Sequence, residues 1–102
     1  MSDFRKAQEF AAKKYNLAIL RGLLAAQEGT GFNALLKSIP GITPRILSTR
    51  LKELERLKLV QKNLVLGQPT TTSPRIEYRA TPKAAGLKKA LSELEKWASK
   101  EL

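Results

Sequence analysis

Arg45, Ser48, Thr49 and Lys52 are the residues of this 102-residue chain whose types and spacing suit a defined chemistry. Wound at 100° per residue they fall on one arc of a helix, and Arg56 falls with them. Arg and Lys can donate to O6 and N7 of guanine, and Ser and Thr hydroxyls can meet base edges or phosphate. Such an arc could read a DNA major groove. The opposite arc, Ile46, Leu47, Leu51, Leu54 and Leu57, is apolar and can hold the helix against a core. A solvated surface helix has the same two-sided pattern, so the decision rests on the surroundings.

Composition removes the competing chemistries. There is no histidine and no cysteine, so the usual zinc sites, disulfides, thiol redox sensing, His-based acid–base catalysis and Ser–His nucleophiles are all absent. The nine acids are mostly interleaved with Lys or Arg on helical surfaces, and no carboxylate pair stands apart in an apolar setting. The chain therefore reads as a non-enzyme with no metal and no cofactor. Nineteen basic residues against nine acidic give a net charge of +10, which favours a polyanionic partner, nucleic acid ahead of an anionic membrane surface. Residues 44–79 hold eight basic and three acidic residues, about half of the excess. No apolar run approaches the ~20 residues that span a bilayer, and no signal-peptide core opens the chain. The expectation is a cytoplasmic, nucleoid-associated protein that does not enter membranes.

The recognition-type residues need a frame, and the chain supplies one. Ser2 or Asp3 can cap a first helix to about Lys14, with Phe4, Ala7, Ala11 and Tyr15 at helical spacing and Phe10 at the edge. Residues 16–27 form a second helix, apolar on nearly two sides, with Arg21 its one conspicuous charge. Gly29, Thr30 and Gly31 read as a plain turn. A phosphate cradle would need more of the glycine pattern than these residues give. Residues 32–38 make a short helix with Phe32, Leu35, Leu36 and Ile39 inward. Pro40 and Gly41 are turn chemistry, Thr43 an N-cap, and Pro44 a first helical residue. Two short helices joined by such a turn form a helix-turn-helix over residues 32–57.

Beyond Leu57 the period changes to two. Residues 60–66 and 75–80 read as strands, joined by a polar loop over residues 67–74, so residues 60–80 form a two-stranded wing. In the second strand Ile76, Tyr78 and Ala80 share one face, and Arg75, Glu77 and Arg79 the other. Thr81 and Pro82 start a last helix that runs to about Glu101. Its stripe of Leu87, Leu91, Leu94 and Ala98, flanked by Ala90 and Trp97, overhangs so small a core. The economical partner is the same helix of a second subunit, and folding back on its own core is the alternative.

Taken together, residues 16–97 resemble the HxlR-type winged helix-turn-helix transcriptional regulators, relatives of the MarR group. The resemblance is carried by Ile19-Leu20-Arg21, by Phe32, Asn33, Leu35 and Leu36, and by the run from Ile39 through Glu55. Leu59-Val60, the stretch Pro74-Arg75-Ile76-Glu77-Tyr78 and the closing Trp97 complete it. It implies a mainly α, α+β winged helix whose terminal helices, residues 1–15 and 82–102, build a homodimer. Phe4, Ala7, Ala11, Leu87, Leu91, Leu94, Trp97 and Ala98 are the candidate dimerisation residues. The chain departs from the family pattern in five ways. The N-terminal Cys of redox-sensing members is absent, Tyr15-Asn16 replaces the usual Lys-Trp, Lys58 stands where a Gly is usual, the wing is several residues longer, and Gly86 is shifted relative to the family's glycine.

The function expected from all this is a sequence-specific, dimeric regulator on double-stranded DNA. Arg45, Ser48, Thr49 and Lys52 face the major groove. Arg56 and Lys58 meet phosphate, and Lys62, Arg75 and Arg79 of the wing track the backbone or minor groove. Thr70, Thr71, Thr72 and Ser73 could add hydroxyl contacts. Arg50, at the edge of the apolar arc, is open to either an internal ion pair or a phosphate contact. Three rivals stand beside this reading: a non-specific nucleoid-architectural protein, a winged helix that meets an acidic protein, and an RNA binder. No residue assigns a small-molecule effector.

Overall fold

The computed structural model describes residues 2–67 and 74–102. Its elements run α1 (Asp3–Ala12), α2 (Asn16–Ala25), β1 (Thr30–Gly31), α3 (Phe32–Ser38), α4 (Pro44–Arg56), β2 (Val60–Val65), β3 (Arg75–Ala80), α5 (Pro82–Ala85) and α6 (Lys88–Glu101). The architecture is the winged helix expected from the residues.

Ser2 Oγ accepts the Arg5 N–H at 3.1 Å and starts α1. The helix stops at Ala12, short of Lys14, because Tyr15 turns the chain in the left-handed region at φ 80°. Asn16, almost wholly buried, donates from Nδ2 to Phe10 O at 3.2 Å and ties the start of α2 to the end of α1. From there α2 runs through the centre with Ile19, Leu20 and Leu23 buried. Leu35 of α3 and Leu47, Leu51 and Leu54 of α4 close on it, and Ile39, Ile42, Val60, Tyr78 and Ala84 complete one core. Burying each such leucine is worth roughly 1.5–3 kcal/mol. Of the apolar arc expected on α4, only Leu47, Leu51 and Leu54 are buried; Ile46 and Leu57 sit at its margins and are exposed.

The turn between α3 and α4 depends on Gly41 at φ 83°, a conformation that penalises any Cβ. Its open side faces Tyr15, whose Oη would lie 3.4 Å from an added Cβ.

The sheet is antiparallel in the order β1-β3-β2. The wing hairpin has the expected faces, with Val60 opposite Ala80 at its base and Val65 opposite Arg75 at its far end. Residues 68–73, including Thr70, Thr71, Thr72 and Ser73, lie outside the described residues. Two expectations change. Thr30 and Gly31, read as part of a plain turn, pair with Tyr78 and Glu77 of β3 and make the sheet three-stranded. A two-residue strand has no alternation to read; its pairing is a long-range event. Gly29 just before it lies so close to Glu77 that a Cβ would sit 2.5 Å from the carboxylate Oε2. The single last helix is also interrupted. Leu87 N–H donates to Ala84 O, three residues back, rather than extending the α ladder, so α5 and α6 are separate. Gly86, a weak helix former, stands where the ladder tightens.

Candidate nucleic-acid interface

The helix carrying the recognition-type residues is fixed at both ends. Thr43 Oγ1 accepts the Ile46 N–H at 3.2 Å, and Pro44 occupies the first turn. At the C-terminus, Leu59 N–H reaches Leu54 O and Lys58 N–H reaches Glu55 O, both at 2.9 Å. That is a Schellman closure, with Lys58 in the left-handed position at φ 63° where glycine is the usual residue. Two further carbonyls find side-chain donors from the start of α5. Lys83 Nζ donates to Leu57 O at 2.8 Å, and Thr81 Oγ1 to Lys58 O at 2.7 Å. Thr81 Oγ1 also accepts the Ala84 N–H at 3.3 Å and so caps α5.

Held in this way, α4 turns Arg45, Thr49, Lys52 and Arg56 to solvent, with Ser48 half-buried between them. Thr49 donates its hydroxyl proton to Arg45 O at 2.9 Å, so its oxygen is left to accept and its methyl to pack. Among the described residues, Arg45, Lys52, Arg56, Lys58 and Lys62 have no carboxylate partner. Arg50 resolves differently. Its Nη1 lies 3.0 Å from Glu53 Oε2 and its side chain is mostly covered, so of the two possibilities the internal ion pair is the one adopted. Glu53 also receives Lys13 Nζ from the end of α1 at 3.4 Å, joining α1 to the recognition-type helix.

The wing cations are not equivalent. Lys62 stands exposed opposite Tyr78. Arg75 bonds Glu77 Oε1 through both Nε and Nη2 at 3.2 Å, and Arg79 donates to Gln27 O at 3.4 Å. Both Arg side chains remain exposed at the surface, but each is already oriented by the protein.

The candidate dimerisation residues divide. No residue of α1 is buried, and Phe4 is 72% exposed; Phe10, not Phe4, is the aromatic that packs on the core. Leu87 and Leu91 pack inward, whereas Leu94 and Trp97 (55%) are exposed. Between α1, the ends of α2 and α4, and α6 lies an open apolar groove of about 710 Å³. Ala7, Phe10, Ala11, Leu57, Leu91 and Leu94 are among its walls. On the far side, Arg21 grips Glu95 with Nε and Nη2 on the two carboxylate oxygens. Those hydrogen bonds hold the Glu95 carboxyl below the usual carboxylate range and raise the Arg21 guanidinium.

Glu53 and Lys83 were not singled out in the sequence, and Thr81 was read only as the start of the last helix. The contacts of Glu53 with Lys13, of Thr81 with Lys58 and of Lys83 with Leu57 span 40, 23 and 26 residues and have no local signal. Among the described residues no group of three or more His, Cys, Asp or Glu side chains could hold a metal ion, and no helix is long and apolar enough to cross a membrane.

Comparison with known proteins gives this geometry a family. The profile of the HxlR-like helix-turn-helix family matches residues 11–102. The uncharacterized HTH-type transcriptional regulator YvaP of Bacillus subtilis (strain 168) is 33% identical over 96 residues, spanning 94% of this chain and 83% of that protein. Among solved structures, a possible HxlR family transcriptional factor from Thermoplasma volcanium GSS1 superposes with a TM-score of 0.77 at 28% identity. That match covers 97% of this chain and 84% of the other. The reduced form of the transcriptional regulator YodB from B. subtilis gives 0.80 at 25% identity, covering 99% and 94%. This chain belongs to the HxlR-like helix-turn-helix family of transcriptional regulators.

Proposed function

We propose that the chain acts as a homodimer that reads a specific double-stranded DNA sequence, with α4 in the major groove and the wing on the backbone or minor groove. One observation carries this reading. A helix pinned by Thr43 at one end and by Lys83 and Thr81 at the other turns outward Arg45 and Lys52, neither of which has an ion-pair partner among the described residues. Preorganised, unpaired cations beside small hydroxyls suit guanine edges. Arg56, Lys58 and Lys62 continue the cationic track toward phosphate, and Arg75 and Arg79 serve as supported contacts. Arg50 drops out, since its charge is engaged with Glu53. The dimer part is supported by the exposed Phe4, Leu94 and Trp97 beside the apolar groove, which a second copy of the terminal helices would cover.

The rival is a non-specific architectural role, favoured by the net charge of +10. Titration of the chain against its own upstream region and a random duplex at two salt concentrations separates the two. Binding to one region that survives the salt stripping the random duplex supports an operator-reading regulator. Equal affinities that collapse together support the architectural role. Arg45→Ala is expected to cost about 1–3 kcal/mol and relax base preference, whereas Lys62→Ala weakens binding evenly across sequences. If Arg45→Ala changes neither affinity nor preference, the groove assignment is wrong.

A further inference from the structure

The wing carries an apolar patch that backbone tracking leaves unused. One face of the hairpin is buried at its base, through Val60 and Tyr78. Strand alternation carries Lys62, Leu64 and Ile76 onto that same face further out, past the edge of the core. Leu64 and Ile76 are direct cross-strand partners, and Leu66 follows just beyond the last pair, Val65 and Arg75. Their exposures are 63%, 39% and 76%.

We propose that Leu64, Ile76 and Leu66 form a wedge that enters the DNA minor groove and unstacks one base step, so that the chain bends the duplex it binds. The inference rests on the DNA-binding reading above and adds to it a deformation of the DNA.

Three observations select DNA as the occupant. The rim is cationic: Lys62 shares the face, Arg75 and Arg79 stand on the reverse side, and the carboxylate of Glu77 is already bonded by Arg75. The patch is small. Three branched side chains fall far short of the roughly 800 Å² per partner that a stable protein interface buries. They do match the opening between two adjacent base pairs, where Leu and Ile act in proteins that kink DNA from the minor groove. The hairpin is also tied to the recognition-type helix, because Thr81 and Lys83, directly after β3, bond the carbonyls of Lys58 and Leu57 at the end of α4. Seating α4 in a major groove therefore carries the hairpin to the neighbouring minor groove as part of one body.

The test uses the full chain on a short duplex labelled at both ends for energy transfer, with 2-aminopurine placed at successive steps beside the site. The unmodified protein is expected to raise end-to-end transfer and to brighten the probe at one step. The double variant Leu64→Asn/Ile76→Thr and the single variant Leu66→Asn alter exposed side chains, so their melting temperatures should stay near that of the parent. Both are expected to lose the bend and the probe signal. Affinity should change by no more than about tenfold, since lost apolar contact and avoided unstacking offset each other. Binding without bending by the parent, or unchanged bending by the variants, overturns the wedge and leaves the DNA-binding reading intact. Failure to bind any duplex at low salt overturns both. Capture of anionic phosphatidylserine vesicles by the parent and not by the variants, with DNA bending unaffected, reassigns the patch to a lipid surface and overturns the wedge.

Discussion

The recognition-type helix and the two terminal helices are built on opposite plans. Three leucines of α4 are fully buried, its first turn is capped by Thr43, and the carbonyls of Leu57 and Lys58 just past its end are taken up by Lys83 and Thr81. Its place in the fold is determined within one chain. By contrast, α1 buries no residue, and α6 buries only Leu91 and grips α2 through the exposed pair of Arg21 and Glu95. An exposed ion pair contributes little by itself. A single chain therefore fixes α4 and leaves the outer helices incompletely buried. The difference teaches that orienting α4 and covering the terminal helices are separable problems, and only the first is solved within one chain.

The largest test of that division is Leu51→Ala. Truncating this fully buried side chain should cost about 2–5 kcal/mol, read by urea denaturation, and by the same amount at every protein concentration. Trp97→Ala should behave in the opposite way. At high protein concentration it should lower apparent stability by about 1–3 kcal/mol, as expected for an aromatic anchor between subunits. In dilute solution it should have almost no effect, and sedimentation should show a shift toward monomer. An equal loss at all concentrations would mean that Trp97 serves its own chain and that the contrast is misdrawn. The smallest change sharpens the description of α4 itself. Lys58→Gly relieves a left-handed residue, and after the greater unfolded-state entropy of glycine is counted it should stabilise the chain by about 0.5–1 kcal/mol. The same variant removes a cation and should weaken duplex binding, so thermal melts and affinity are expected to move in opposite directions.

What was legible in the sequence follows the same division. The helix-turn-helix was readable because its signals are local: Gly41 in the turn, Thr43 and Pro44 at the cap, and leucines at helical spacing. The wing faces were readable from the alternation of Ile76, Tyr78 and Ala80 against Arg75, Glu77 and Arg79. Pairing of Thr30 with Tyr78 was hidden, because two residues cannot display a period. The state of the cations was hidden as well. Arg50, Arg75 and Arg79 have the same composition-level signature as Arg45. Glu53 and Glu77 stand three and two residues from Arg50 and Arg75, so spacing allows those pairs without requiring them, whereas only the fold brings the Gln27 carbonyl to Arg79. Charge counts thus located the basic surface but overstated how much of it is uncommitted.

The β1–β3 pairing has a consequence for the order in which the molecule assembles. α3 and α4 are neighbours in sequence, and their turn can close almost at once. Residues 30 and 78 must instead close a long loop before two short strands repay the lost entropy. During synthesis the helix-turn-helix leaves the ribosome well before β3 does. The nascent chain therefore presents α4 first and acquires its wing only when the middle strand arrives to join both edges.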